Sequence, residues 1–179
     1  MQRVAIVGNS ASGKTTLGRA LAARLGVPHL ELDRVWHQPG WTELPADEFR
    51  QRVGDFVVQD GWVVDGNYSM VRDLLWSRAD TVVWLDLPRP IVMRRVVARS
   101  LSRVVRRTEL WQGNRETWRN LLARDPERSI IRWAWTQHDK YHHRYEALVG
   151  DPEWTHVRFV RLRHPREVAA FLAAVGQRE

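Results

Sequence analysis

The sequence predicts a single α/β domain, residues 1–179, built on a parallel sheet of about five strands. Three observations lead to this prediction. Short apolar runs of strand length alternate with longer segments whose apolar residues recur at helical spacing. A glycine-rich loop follows the first apolar run and opens the first helical segment. No internal repeat, low-complexity tract or Gly/Ser linker divides the chain, and its length is sufficient to bury one core.

The strand predictions rest on short apolar or alternating segments. Residues 4–7 and 81–85 are continuous apolar runs, which are typical of strands buried on both faces of a sheet. Residues 156–162 alternate instead, which is typical of a half-buried strand. The predicted strands, in chain order, are 4–7, 28–32, 62–64, 81–85 and 156–162.

The helix predictions rest on spacing and on stop signals. Leu17, Leu21 and Leu25 recur at i, i+4 and i+8, and Gly26 follows as a stop. Residues 107–115 break the pattern and are predicted to be a loop. Strands that alternate with helices imply right-handed crossovers and a sheet covered on both faces. The predicted helices are 15–25, 46–60, 90–106, 116–148 (interrupted near Asp125 and Pro126) and 165–175.

Composition restricts the classes of function. The chain has no cysteine, which excludes disulfides, thiol nucleophiles and thiolate metal sites and fits a reducing cytoplasm. A short apolar stretch at the N-terminus and no long apolar run predict a soluble, cytoplasmic protein. The net charge is +7, from 28 Lys and Arg against 21 Asp and Glu. This charge fits either a nucleic-acid surface or a pocket for a polyanionic small substrate.

Residues 8–15, Gly-Asn-Ser-Ala-Ser-Gly-Lys-Thr, match the phosphate-binding pattern G-x-x-x-x-G-K-[ST]. The predicted strand before it and the helix after it argue against a chance match in a glycine turn. Backbone N–H groups of such a loop hold phosphate, and the helix N-terminus adds positive potential. We expect Lys14 to reach the β- and γ-phosphates of ATP and Thr15 to ligate Mg²⁺. The predicted ATP-binding residues are Gly8, Asn9, Ser10, Ala11, Ser12, Gly13, Lys14, Thr15 and Thr16.

Two other classes of phosphate-loop protein lack their signatures here. A GTPase carries N-K-x-D after a late strand, and the nearest string, residues 138–141, reads His-Asp-Lys-Tyr. A motor ATPase carries an Asp-Glu pair after its second-motif strand, whereas Asp65 precedes Gly66 and Asp86 precedes Leu87. The sequence therefore favours neither class.

With these motifs the chain resembles the nucleoside/nucleotide-kinase-like branch of P-loop proteins. In layout it is similar to adenylate kinase and shikimate kinase. It is more similar still to the topology-modulation proteins and adenylate-kinase-related ATPases. The resemblance implies a three-layer fold with strand order 2-3-1-4-5 and a helical lid. The favoured function is an ATP- and Mg²⁺-dependent kinase that transfers the γ-phosphoryl group of ATP to a nucleoside, a nucleotide or a hydroxylated metabolite. The segments that carry it are 8–16, 32–33, 39–41, 62–68, 85–88, 107–111, 113–116 and 160–163.

The resemblance also suggests roles for two aspartates. In the implied strand order Asp65 lies beside the phosphate-loop strand, where its carboxylate can hold Mg²⁺ through water; the alternative is a simple Asp-Gly-Asn turn. Asp33 follows strand two, where shikimate-kinase-like enzymes carry an acidic residue at the acceptor hydroxyl; the alternative is a capping residue. Adenylate kinase has Pro-Arg after its Asp-Gly pair, and this chain has Asn67 and Tyr68 there. Trp36, His37 and Trp41 are candidates for the acceptor pocket.

Arginines recur along the helix predicted at 90–106. Arg95, Arg99 and Arg103 are spaced i, i+4 and i+8, so they share one helix face. In P-loop kinases this stretch opens into a lid whose arginines neutralise the transferring phosphoryl group. We therefore predict a lid near 103–118, and the alternative is a solvated basic face. The candidate catalytic residues are Lys14, Asp33, Arg99, Arg103 and Arg107, with Arg106 and Arg115 nearby.

Two alternatives remain at this point. His138, His142 and His143 are near metal-ligand spacing, but packing and surface positions are favoured because no H-E-x-x-H pattern forms. The competing function is a nucleic-acid-associated P-loop ATPase or regulator of DNA topology, which is supported by the net charge of +7 and by the basic helix predicted at 90–106. The favoured partners are ATP and a small-molecule acceptor. Monomer and homodimer both stay open.

Overall fold

A computed structural model describes residues 1–119, 123, 125 and 129–175. Five strands and seven helices are defined within these residues, with short 3₁₀ helices between some of them. The strands are β1 (Arg3–Gly8), β2 (His29–Glu31), β3 (Trp62–Asp65), β4 (Thr81–Leu85) and β5 (Arg158–Leu162). The helices are α1 (Lys14–Leu25), α2 (Leu32–Trp36), α3 (Ala46–Val57), α4 (Arg72–Trp76), α5 (Arg89–Val105), α6 (Ile130–Val149) and α7 (Pro165–Ala174).

The sheet confirms the predicted fold class. Its order is β2-β3-β1-β4-β5, and every neighbouring pair of strands is parallel. All five carboxyl ends therefore lie at one edge, where open α/β sheets bind ligands. The register places Ile6 opposite Asp65 and Glu31 opposite the same Asp65, so β1, β2 and β3 end side by side.

Helices cover both faces of the sheet because side chains alternate along the central strand. Val4 and Ile6 pack with Leu17 and Leu21 of α1, and α7 closes the same layer. Ala5 and Val7 belong to the larger cluster on the other face. That cluster includes residues of α3, α4 and α6, and a smaller third cluster joins α5 to α6. The result is the three-layer arrangement that the sequence predicts.

The structure corrects several predicted bounds. β2 ends at Glu31, and Asp33 lies in the first turn of α2 rather than at the end of a strand. Helix α4 was not predicted, because five residues are too few to show a helical period. The long helix predicted at 116–148 is helical over Ile130–Val149, and part of that prediction falls outside the described residues. No helix in the described part of the chain is long and apolar enough to cross a membrane.

Candidate active site

The loop between β1 and α1 has the backbone geometry that phosphate binding requires. Gly8 has φ of 147° and Gly13 has φ of 106°, values that favour glycine. A Cβ on Gly8 would lie 2.7 Å from the carbonyl oxygen of Leu85 on the neighbouring strand β4. The loop therefore stays close to the sheet edge, and α1 begins directly at Lys14. The N-terminus of this helix points at the space that the loop encloses.

Lys14 folds back over this loop. Its Nζ donates hydrogen bonds to the carbonyl oxygens of Gly8 at 2.9 Å and Asn9 at 3.0 Å. Burial lowers the pKa of the Lys14 amino group, and the charges of Asp33 and Asp65 oppose that change. The ammonium group is thus held by the loop carbonyls beside the expected phosphate position.

Two arginines of α5 contact the loop from the other side. Arg95 Nη1 donates to the carbonyl oxygen of Ser12 at 2.9 Å, and Arg99 Nη2 donates to Ser10 Oγ at 3.1 Å. Burial, followed by the charge of Arg103, lowers the pKa of Arg99 to about 10, so its guanidinium stays charged at neutral pH. Ser12 Oγ and Arg99 Nε are buried without a hydrogen-bond partner among the described residues. Unpaired buried donors beside a cationic loop fit an anionic ligand such as a polyphosphate.

Thr15 lies beneath the loop, against the carboxyl ends of β2 and β3. Its Oγ1 donates to Asp65 Oδ2 at 2.8 Å and is 3.2 Å from Glu31 Oε1. Asp65 is 2% exposed, so its carboxylate is fixed by protein groups rather than by solvent. His29 Nε2 lies 2.7 Å from the other oxygen, Asp65 Oδ1. A hydroxyl and two carboxylates at a phosphate loop are the oxygen ligands that Mg²⁺ prefers.

Asn67 joins the loop to the strand beside it. Its Nδ2 donates to the carbonyl oxygen of Gly8 at 2.6 Å, and its Oδ1 accepts from the Gly8 N–H at 3.1 Å. Tyr145 of α6 donates to the same Oδ1 at 3.0 Å. The side-chain amide therefore fixes the start of the loop in both directions. Asn67 is not among the site residues that the sequence predicts, because an Asp-Gly-Asn string is also typical of a simple turn.

Asp33 faces the cleft from α2. Tyr68 Oη donates to Asp33 Oδ1 at 2.7 Å, and burial together with the Asp33 charge raises the pKa of Tyr68, which keeps the phenol protonated. His37, at the end of α2, is half-buried, and this burial lowers the pKa of its imidazole. The Asp33 carboxylate is thus oriented by a permanent donor at the cleft.

The segment predicted as a lid lies against the loop that follows α2. Asn114 Oδ1 accepts from the Trp41 N–H at 2.9 Å, and its Nδ2 donates to the carbonyl oxygen of Gln38 at 2.9 Å. The rings of Trp111 and His37 stack, with centroids 5.5 Å apart and planes inclined by 19°. These contacts place the rings of His37, Trp41 and Trp111 together in one wall of the cleft described below.

The cleft bounded by these elements has a volume of ≈ 1810 Å³. Most of the predicted site residues border it, including Lys14, Thr15 and Asp33. Arg99 and Arg103 also border it, and Arg103 Nη1 pairs with Glu116 Oε1 at 2.6 Å. Arg107 does not border it: the residue is exposed beyond the end of α5, with φ of 49°. Arg95 borders the cleft and contacts the loop, although it was not among the candidate catalytic residues.

Two of the three histidines considered as metal ligands have hydrogen-bond partners elsewhere. His138 Nε2 lies 3.1 Å from the carbonyl oxygen of Leu87, and His142 Nδ1 lies 3.0 Å from Asp86 Oδ1. Arg161 also binds Asp86, through Nε at 2.9 Å. Over residues 1–119, 123, 125 and 129–175, no group of three His, Asp or Glu side chains is arranged to hold a metal ion. These histidines thus link α6 to the end of β4.

Comparison with solved structures identifies the fold. A shikimate kinase from Acinetobacter baumannii in complex with shikimate aligns over 99% of this chain and 92% of that chain, with a TM-score of 0.56 and 17% identity. A gluconokinase from Sinorhizobium meliloti 1021 aligns over 98% and 94%, with a TM-score of 0.51 and 20% identity. The chain has the fold of P-loop small-molecule kinases. A shikimate kinase from Bacteroides thetaiotaomicron, with a TM-score of 0.51 and 15% identity, aligns over 96% of this chain and 94% of that chain.

Sequence comparison finds relatives that align with only part of this chain. The uncharacterized protein YqaC of Bacillus subtilis is 30% identical over 104 residues, which cover 57% of this chain and 58% of YqaC. A shikimate kinase of Oleidesulfovibrio alaskensis is 38% identical over 69 residues, or 36% of this chain and 32% of that enzyme. The aligned segments thus span about a third to somewhat over half of these relatives. No protein-family model matches the chain.

Proposed function

We propose that this protein is an ATP-dependent kinase that transfers the γ-phosphoryl group of ATP to a hydroxyl group of a small molecule. One observation carries the proposal: the phosphate loop and Asp33 face the same cleft, so a phosphoryl donor and an acceptor could bind there side by side. The similarity in fold to shikimate kinase and gluconokinase supports the same class of reaction.

The donor phosphates would be held by the loop of residues 8–15. Its backbone N–H groups and the N-terminus of α1 supply fixed partial positive charge. Lys14 would exchange its hydrogen bonds to the Gly8 and Asn9 carbonyls for the β- and γ-phosphates. Arg95 and Arg99 already contact the loop and would neutralise the remaining charge.

Thr15 and Asp65 would hold Mg²⁺, with Thr15 as a ligand and Asp65 acting through a bound water. When bound there, Mg²⁺ would supply positive charge against the negative charge that develops on the transferring phosphoryl group. The residues fit this ion because the Thr15 hydroxyl is held against two carboxylates at the base of the loop. Glu31, the second carboxylate, is a further candidate for the water shell.

Asp33 would bind the acceptor hydroxyl, orient it towards the donor and accept its proton. Tyr68 holds one carboxylate oxygen, which fixes the direction of the other. His37, Trp41 and Trp111 would enclose the acceptor and exclude water. Arg99 and Arg103 would stabilise the charge on the transferring phosphoryl group. Because Arg107 does not border the cleft, we assign its predicted role to Arg95.

The test is phosphorus NMR of ATP turnover with a panel of nucleosides, nucleotides and hydroxylated metabolites. Lys14→Ala removes the lysine of the loop, and Lys140→Ala removes the exposed lysine of α6 as a matched control. We expect a phosphorylated product with the wild type and with Lys140→Ala, and a loss of at least about 100-fold with Lys14→Ala. Full transfer by Lys14→Ala would contradict the proposal.

The same assay separates the nucleic-acid alternative. Release of ADP that DNA or RNA stimulates, with no product from any small acceptor, would favour a nucleic-acid-associated ATPase instead. Binding to DNA would then fall steeply as salt rises. The contacts of Arg95 and Arg99 with the phosphate loop argue for the small-molecule reaction, because these side chains point into the cleft rather than to an outer surface.

A further inference from the structure

Three side chains form a continuous hydrogen-bonded chain beneath helix α1. Thr15 Oγ1 donates to Asp65 Oδ2 at 2.8 Å, and His29 Nε2 lies 2.7 Å from Asp65 Oδ1. A carboxylate oxygen only accepts hydrogen bonds, so the Nε2 of His29 carries the hydrogen. Each carboxylate oxygen of Asp65 thus has its own partner. Oδ2 is bound by Thr15 of the phosphate loop, and Oδ1 is bound by His29, which lies outside the loop.

The sheet register explains this meeting of residues distant in sequence. His29 pairs with Val63, and Glu31 pairs with Asp65, in the parallel ladder of β2 and β3. Side chains at alternate positions share a face, so His29, Glu31 and Asp65 all point towards α1. The side chain of His29 is 14% exposed and that of Asp65 is 3% exposed. The contact is therefore well shielded from solvent.

Helix α1 leaves room for the imidazole ring. A Cβ on Gly18 would lie 2.6 Å from His29 Nε2 and 3.0 Å from Cδ2. Gly18 is buried in the middle of α1, where glycine is less favourable than alanine. The ring therefore occupies the space that the absent side chain leaves. Gly18 lies one turn after Thr15, so the same helix face supplies the hydroxyl and the gap.

We propose that His29 is a positioning residue for the carboxylate of Asp65. By holding Oδ1, it directs Oδ2 towards Thr15 and the shell of the magnesium ion. The inference rests on the proposed function, because that proposal assigns Mg²⁺ to Thr15 and Asp65. Mg²⁺ demands near-ideal octahedral geometry, so a carboxylate that rotates freely would hold its water shell less well. Residues that orient metal-binding groups in this way change metal affinity when they are replaced.

The test compares His29→Leu with His29→Gln. Leucine removes the donor, whereas the amide nitrogen of glutamine lies near the position of Nε2 and can still donate to Asp65. Binding of ATP is measured by isothermal titration calorimetry at a series of Mg²⁺ concentrations. We expect the half-saturating Mg²⁺ concentration to rise about 10-fold in His29→Leu and by less than about 3-fold in His29→Gln. Binding of ATP without Mg²⁺ should stay the same in both.

Three outcomes would overturn the inference. The first is an unchanged Mg²⁺ requirement in His29→Leu, and the second is an equal rise in both variants. The third is a parallel loss of metal-free ATP binding, which would indicate a general packing role. If His29→Leu does not fold, Gly18→Ala serves instead, because it keeps the imidazole and displaces it from Asp65. We expect the half-saturating Mg²⁺ concentration to rise in Gly18→Ala too. An unchanged Mg²⁺ requirement in that variant would overturn the inference.

Asp65→Asn separates this inference from the proposed function. If that variant retains the wild-type Mg²⁺ requirement, the assignment of the metal to Asp65 fails, and the role of His29 fails with it. If Asp65→Asn raises the requirement and His29→Leu does not, only the role of His29 fails. Neither result depends on the acceptor, so a kinase whose acceptor is still unknown can be tested in this way.

Discussion

At the scale of single residues, Gly8 marks the point where β1 becomes the phosphate loop. Its φ of 147° favours glycine, and a Cβ would meet the Leu85 carbonyl at 2.7 Å. We expect Gly8→Ala to lower the free energy of unfolding by about 1–3 kcal/mol, because backbone atoms must move. Gly54, within α3, is the matched control because a Cβ there meets no atom within 4 Å.

Equilibrium unfolding in urea measures both variants. Gly54→Ala should raise the free energy of unfolding by about 0.5–1 kcal/mol, since alanine favours the helix. A Gly8→Ala protein as stable as the wild type would show that the loop does not need this conformation.

Asp33 is the residue on which acceptor activation depends in the proposed reaction. Asparagine keeps its shape and can still accept the Tyr68 hydrogen bond, but it does not take a proton. We expect Asp33→Asn to lower kcat about 10²- to 10⁴-fold with ATP·Mg²⁺ binding unchanged. Asp55→Asn, at an exposed position of α3, is the control and should keep the wild-type rate. A kcat within twofold of the wild type in Asp33→Asn would remove Asp33 from the chemistry.

At the scale of elements, Asn114 links the predicted lid to the loop after α2. The residue is 5% exposed, and its side chain accepts a hydrogen bond from the Trp41 N–H and donates one to the Gln38 carbonyl. Asn114→Ala leaves both backbone groups without this partner, so we expect stability to fall by about 1–3 kcal/mol. We also expect more ATP hydrolysis per phosphoryl transfer, because water enters a cleft whose wall is loosened.

The ratio of ATP hydrolysis to phosphoryl transfer is obtained by measuring phosphate release and acceptor product in the same reaction. Thr108→Ala alters an exposed residue of the same segment and should leave the ratio unchanged. If Asn114→Ala loses stability without a change in the ratio, Asn114 has a purely structural role.

The strand and helix predictions succeeded where a local pattern is strong. The apolar runs of β1 and β4 and the leucine spacing of α1 reflect burial on defined faces, so they were read correctly to within a few residues. The predicted end of β2, at Leu32, was wrong. The strand ends at Glu31, because Leu32 and Asp33 turn into α2 where the chain leaves the sheet edge. A five-residue helix depends on its neighbours for stability, and its own sequence carries too little signal.

At the scale of the whole molecule, ligand binding should stabilise the fold. The proposed ATP·Mg²⁺ site draws on β1, α1, β3 and α5, elements that separate when the chain unfolds. At a ligand concentration of about 100 times the Kd, binding adds about 2.7 kcal/mol, which raises the Tm by about 5–10 °C for a chain of this size.

A thermal unfolding scan with and without ATP·Mg²⁺ measures this shift. Lys14→Ala should lose most of it, whereas Lys140→Ala should keep it. An equal shift in the wild type and in Lys14→Ala would place nucleotide binding outside the phosphate loop.

The sequence by itself determined the fold class and the phosphate loop, because both depend on short-range patterns: alternating apolar segments, and the eight residues from Gly8 to Thr15. The tertiary structure alone decided which side chains meet in and around the cleft. His29 contacts Asp65 across 36 positions, and Trp41 contacts Asn114 across 73. It also decided that Arg95 reaches the loop while Arg107 faces solvent. The physical reason is that such contacts depend on strand register and helix packing, which bring distant residues together and which no local spacing encodes.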